Sequence, residues 1–318
     1  IKNKYINRMI ESGITIRDVS SLNNDQILEI SRSDNLNIAV DLMGFTKQHR
    51  MHLFSRRIAP SQISYLGYPG SCGSDCIDYL IGDKTLIPSK LSKFYSEKIL
   101  YLPHTYQILD TSLIPSNKVF TRSMFNLPED SFVFACFNSN HKITPIEFDI
   151  WVKLLLEVDN SVLWLINSDR NAISNLYREA SSQGLSEERI IFSPTINLED
   201  HMARHHCADL FLDTFNYNAG ITASLSLRSN LPLLTLAGES YTSRMGASLL
   251  AAINMRELIT YDQNEYFKKA KLLAEDKNYL IEIQDKMKNN IVKFNDYLDK
   301  YFVKDLEKIY KKVVKRSI

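Results

Sequence analysis

The chemistry this chain can do is read first from the stretch Arg189 to Arg228. A short strand and a charged helix lead to the apolar strand Leu210-Phe211-Leu212-Asp213. That strand empties into the small-residue loop Asn218-Ala219-Gly220-Ile221-Thr222-Ala223-Ser224, and a helix is predicted from about Thr222. A strand that runs through small residues into a helix presents free backbone N–H groups and a helix dipole, a place for an anion such as a diphosphate. On spacing alone an ordinary strand-to-helix turn without a ligand is the commoner outcome. A second loop of this type, Gly67-Tyr68-Pro69-Gly70-Ser71-Cys72-Gly73, lets a backbone approach something closely.

The elements that must position these loops follow from length and pattern. At 318 residues, with 44 % hydrophobic and 24 % charged side chains, the chain is a globular protein of about two domains. A net charge of +1 gives no reason to expect a nucleic acid or an anionic membrane as partner. No apolar run approaches the roughly 20 residues of a membrane span. Cys72 and Cys76 lack a matching His/Cys pair, so no metal is expected. Four cysteines in a chain this long suit a reducing, cytoplasmic compartment. The opening Ile1-Lys2-Asn3-Lys4 has no initiator Met, and the start of the protein is expected upstream.

Residues 1 to about 35 read as helix, extended piece, helix, with Asn23, Asn24 and Asp25 as caps. Strands are predicted at Asn37–Leu42, Ile63–Leu66, Tyr79–Asp83 and Lys98–Leu102, with a helix over Lys47–Arg57 and a linker at Thr111–Asn117. A second unit starts with the strand Ser131–Phe137 and the helix Pro145–Glu157. Further strands are predicted at Ser161–Ile166, Arg189–Phe192, Leu210–Asp213, Leu233–Leu236 and Glu257–Ile259. From Asn264 the chain is helical, and Tyr297, Leu298, Tyr301, Phe302, Leu306, Ile309 and Val313 recur at helix spacing as a packing face. The result is α/β: two Rossmann-like lobes in tandem, residues 1–117 and 118–262, with a helical tail over 263–318. Ligands of such pairs sit between facing strand ends.

Several long matches give this pattern a family. In the first half they are Asp41-Leu42-Met43-Gly44-Phe45-Thr46, Ala59-Pro60-Ser61-Gln62, Tyr65-Leu66-Gly67-Tyr68-Pro69-Gly70 and Phe94-Tyr95-Ser96-Glu97-Lys98. In the second half they are Phe137-Asn138 with Lys142-Ile143, Asn160 to Leu165, Arg189 to Pro194, Ala208 to Thr214 and Gly238-Glu239-Ser240 with Ser243-Arg244. With these the chain resembles the catalytic region of the O-linked N-acetylglucosamine transferase family, including its SPINDLY-type relatives. The resemblance implies a GT-B fold whose N-terminal lobe is incomplete here. It also implies an inverting, metal-independent transfer of a sugar, N-acetylglucosamine by preference, from a UDP-sugar to Ser or Thr hydroxyls of a polypeptide. The UDP-sugar is a co-substrate and no cofactor is implied. Tetratricopeptide repeats are implied upstream.

By the same resemblance Lys142 faces the departing diphosphate and His201 contacts the nucleotide. Ser139 stands where a family Gln meets the donor, and backbone groups of Ile196 and Leu198 face the base. Thr46, Leu66 and Gly67 approach the sugar from the other lobe. Ala219, Gly220 and Thr222 lie in the diphosphate loop. This loop departs from the family's Asn-Ala-His-Thr-Thr text: Gly220 replaces a His, Ile221 a Thr, Leu225 a ribose-binding Asp, and Arg228 a Trp. Two other readings therefore stand beside the first. One is a non-catalytic interaction module on the same frame, and the other a transferase using another donor such as GDP-fucose.

Overall fold

A computed structural model describes residues 4–317 apart from Leu109 and Ser168, with side chains from Tyr5 to Val314. Residues 1–3, part of the predicted first helix, lie outside the described residues. That helix, α1, covers Lys4–Glu11, and α2 covers Asn24–Ser33 behind a reciprocal Asn23/Gln26 cap. The first sheet is parallel, in the order β1 (Ile38–Asp41), β2 (Ser61–Ser64), β3 (Tyr79–Asp83), β4 (Lys98–Leu102). Between β1 and β2 the predicted helix over 47–57 shrinks to α3 (Met51–Ser55). Gln48 and Arg57 adopt left-handed backbones (φ 66° and 53°), which a helix cannot contain.

The second sheet has six parallel strands ordered β10-β9-β8-β5-β6-β7. In chain order these are β5 (Phe132–Cys136), β6 (Ser161–Ile166), β7 (Ile190–Ser193), β8 (Leu210–Leu212), β9 (Leu233–Leu236) and β10 (Ile259–Thr260). The last begins two residues later than predicted because Arg256–Leu258 form a 3-10 turn. Helices α4 (Pro145–Glu157), α5 (Arg170–Ser182), α6 (Leu198–Arg204), α7 (Ile221–Arg228) and α8 (Met245–Ala252) connect the strands. The core of this lobe runs from Val133, Phe134, Trp151 and Trp164 to Phe211, Leu234 and Leu250, all fully buried. A strand with both faces covered has no need of alternation, and so these strands read as continuous apolar runs. Pairing order places the ends of β8 and β5 side by side. Their connections leave in opposite directions, the switch point at which open α/β sheets take ligands.

The tail comprises α9 (Gln263–Glu275), α10 (Lys277–Tyr297), a π turn and α11 (Val303–Ser317). It returns to the first sheet: Leu298, Phe302 and Val313 bury against Ile63, Tyr65, Tyr79, Leu100 and Leu102. Tyr301, read as part of that face, is instead 51 % exposed, since the π turn shifts the register of the stripe. The two sheets are further joined by side chains. Asp83 accepts from the Ser248 hydroxyl, and Arg244 donates to Thr85 O (2.8 Å). Arg228 donates to the carbonyls of Asp110, Thr111 and Leu113 at 2.6–2.9 Å. Arg228 thus pins the connection between sheets to α7.

Candidate functional site

The loop after β8 is built on one carboxylate. Asp213 Oδ1 accepts from the backbone N–H of Thr214 (2.9 Å) and of Ala219 (2.7 Å), while Oδ2 accepts from Thr235 Oγ1 (2.7 Å). Asn138, just past β5, donates to Thr214 Oγ1 (2.8 Å), and Asn218 donates across the loop to Thr214 O (2.6 Å). Ala219 and Gly220 are buried, and a Cβ at Gly220 would lie 2.5 Å from Met245 Cε. The first bond inside α7 runs from Ser224 N to Gly220 O, so the N–H groups of Ile221, Thr222 and Ala223 have no acceptor within the helix. Gly220 brings no capping side chain. Ile221 is 65 % exposed and Thr222 half-buried, leaving this helix start open.

Lys142 closes the 3-10 turn Asn140–Lys142 after β5 and reaches the same place. Its Nζ donates to Asn218 O (3.1 Å) and lies 3.8 Å from the centre of the Tyr217 ring. Burial pulls its pKa below the ordinary lysine value, while the field of Asp213 opposes that. Among the described residues no carboxylate forms an ion pair with it: a carbonyl and an aromatic face hold it, and both are neutral. An ammonium held in this way keeps its charge available to an incoming anion. Ser139 is exposed beside it.

A second group of predicted residues comes from the end of β7. Ile196 is half-buried and Leu198 exposed at the start of α6, where the Asn197 side chain caps Asp200 N. His201 Nδ1 accepts from Arg204 Nε (3.0 Å), so in the neutral ring the proton sits on Nε2 as a donor. Burial, helped by His205 and Arg204, holds His201 down at about 3, and it is neutral at physiological pH. The sequence gives no signal for Arg204, because a charged residue on a helix reads as solvated. It is fully buried, its guanidinium over the rings of Phe125, Phe137 and Trp164 at 5.2–5.7 Å and bonded to Pro194 O. His205 is buried beneath His201, its Nδ1 donating to His201 O.

These histidines set an acid limit. Burial keeps His205 neutral down to about pH 4, whereas an unfolded histidine takes its proton near 6.5. Between the two the unfolded chain binds more protons, so stability falls as pH drops through that window, by about 3 kcal/mol for His205 alone. Thermal melts from about pH 7 to about pH 4.5 should show the loss, and His205→Gln should shrink it.

On the first sheet, Leu66 holds a left-handed backbone (φ 67°), a costly conformation for a leucine. It packs on the cluster of Leu80, Leu86, Ile87, Tyr106, Tyr241 and Met245. Met245 also borders Gly220, so Leu66 and the loop after β8 flank one cluster. Gly67 passes so close to Leu42 that a Cβ would lie 1.7 Å from its carbonyl oxygen. The Thr46 hydroxyl is spent on Met43 O (2.8 Å), within its own loop. A cleft of about 700 Å³ opens between the start of α4 and the ends of β9 and β10, lined by Thr144, Glu147, Asn216, Ser240 and Tyr261 among others. None of the predicted site residues lines it.

The sequence profile described as Glycosyl transferase family 41 matches residues 7–115 and 110–306. The chain belongs to this family. The protein SEC of Arabidopsis thaliana, described as a probable UDP-N-acetylglucosamine–peptide N-acetylglucosaminyltransferase, is 33 % identical over 302 residues, covering 93 % of this chain and 31 % of that protein. SPINDLY of Oryza sativa subsp. japonica, described in the same words, is 28 % identical and covers 98 % of this chain and 34 % of its own length. This family 41 chain spans about a third of the length of these relatives. A mutant O-GlcNAc transferase of Thermobaculum terrenum superposes with a TM-score of 0.85 at 28 % identity, covering 95 % of this chain and 57 % of the other. Sucrose-phosphate synthase of Thermosynechococcus elongatus, at 12 % identity and a TM-score of 0.63 over 91 % and 77 % of the two chains, shares the fold. The two sheets and their helical tail form a GT-B fold. No described helix is long and apolar enough to cross a membrane.

Proposed function

We propose that this chain is the catalytic region of an inverting, metal-independent transferase that moves a sugar, N-acetylglucosamine by preference, from a UDP-sugar to Ser or Thr hydroxyls of a polypeptide. On this reading residues 1–117 form the acceptor side, 118–262 the donor side, and 263–318 a tail that braces the acceptor side. The observation that carries it is the meeting of the Lys142 ammonium with the loop that opens α7. As the acceptor oxygen bonds to the anomeric carbon, its hydroxyl proton passes to water, the bond to the diphosphate breaks and its electrons pass to a phosphate oxygen. Fixed donors at that oxygen stabilise the transition state more than the ground state. Lys142 supplies a charge, α7 its free N–H groups, and His201 a neutral N–H for the nucleotide.

The loop's departures favour a second reading, the same chemistry with another donor. Space for a side chain at position 220 is taken by Met245, with Gln107 and Tyr106 behind it, and Leu225 is only 4 % exposed. A pocket refilled with packed side chains is one that has been reshaped. Calorimetry with UDP, GDP and their sugars separates the readings. UDP is expected to bind in the micromolar to millimolar range, about −8 to −4 kcal/mol. Heat with GDP alone would move the assignment to a guanine donor, and no heat with any of them would leave an interaction module.

A further inference from the structure

We propose that Asp213 is a positioning residue for Lys142, shaping the loop whose Asn218 carbonyl receives the ammonium. Its use to a reaction rests on the transferase reading above, but the coupling itself does not. Asp213 is fully buried at the end of β8. The bonds from Thr214 N and Ala219 N close residues 214–219 into a loop on Oδ1, and this directs Asn218 O at Lys142 Nζ. A Cβ at Gly246 would lie 2.5 Å from Oδ2, so α8 is pressed against the carboxylate and no longer acid would fit.

A loop brace could be served by a neutral acceptor, and a buried carboxylate without an ion pair is costly. Among the described residues every direct donor to this one is neutral: two backbone N–H groups, the Thr235 hydroxyl and, at 3.4 Å, the Asn138 amide. The titratable groups whose fields meet it are Lys142 after β5, Cys136 in β5, Tyr106 after β4 and Tyr266 in α9. Of these four, Lys142 carries the one positive charge. Burial drives Lys142 toward its neutral form, in which it would do nothing for a leaving diphosphate, and Asp213 opposes that drift. The carboxylate itself is pushed up by burial to about 7, so it is ionised in the alkaline range where a lysine titrates.

The test reads the proton on Lys142 directly. Trace acylation of the whole protein is followed by mass spectrometry across alkaline pH, with exposed Lys47 as internal reference. Asp213→Asn is expected to move the labelling midpoint of Lys142 down by about one pH unit, roughly tenfold more reaction near pH 8, with Lys47 unchanged. Asp213→Ser removes the same charge with a smaller side chain and should act in the same direction; it decides the matter if Asp213→Asn does not fold. A Lys142 midpoint unmoved in the folded variants overturns the proposal. A shifted midpoint in a protein that neither binds nor transfers a nucleotide sugar would uphold the coupling and sink the transferase reading instead.

Discussion

Replacing Lys142 by alanine is expected to lower kcat/KM for sugar transfer by about 30- to 900-fold, about 2–4 kcal/mol of transition-state stabilisation. The size follows from the environment. The ammonium is largely withdrawn from water, is held by Asn218 O and the Tyr217 face, and has no carboxylate in ion-pair contact among the described residues. A charge in such a place acts on a developing phosphate charge with little screening. Steady-state kinetics checks the fall, and a thermal melt of the same variant checks that the fold persists. A loss confined to KM would mean that Lys142 only helps to bind the donor, since uniform binding leaves kcat unchanged.

The second large effect is steric. Gly67→Ala places a methyl carbon 1.7 Å from Leu42 O and 2.6 Å from Leu42 C. Both atoms belong to the backbone at the exit of β1, so no rotamer change relieves the clash. The two loops must separate, and Leu66, already in a left-handed conformation, holds one end of the turn in place. The expected cost is about 3–5 kcal/mol, at the upper end of single substitutions. Chemical denaturation of the variant measures it. Gly73→Ala is the contrast within the same loop: its added Cβ meets no atom within 4 Å, leaving only the conformational cost of φ 61°.

The positions of most elements were legible in the sequence because their local signals and their packing agree. Tyr79–Asp83, Pro145–Glu157, Ser161–Ile166 and Leu233–Leu236 stand where apolar runs, a first-turn Pro and turn residues put them. The helix over 47–57 failed because left-handed residues such as Gln48 leave no mark in a periodicity. At the site, the small-residue loop and Lys142 could be named from the chain alone, and the tertiary structure brings them within hydrogen-bond distance. The Asp213 brace, the buried Arg204 and the Arg228 strap could not. Each is a charged residue whose type argues for solvent, and only long-range partners show otherwise.

The sequence by itself determined the family 41 membership, the alternation of strands and helices, and the small-residue loop that opens α7, since these are properties of neighbours along the chain. Tertiary structure alone decided that no carboxylate among the described residues touches the Lys142 ammonium, that His201 carries its N–H on Nε2, and that Met245 occupies the space beside Gly220. Those outcomes depend on which groups meet across two sheets, and burial acts on charge only after the fold has set the distances.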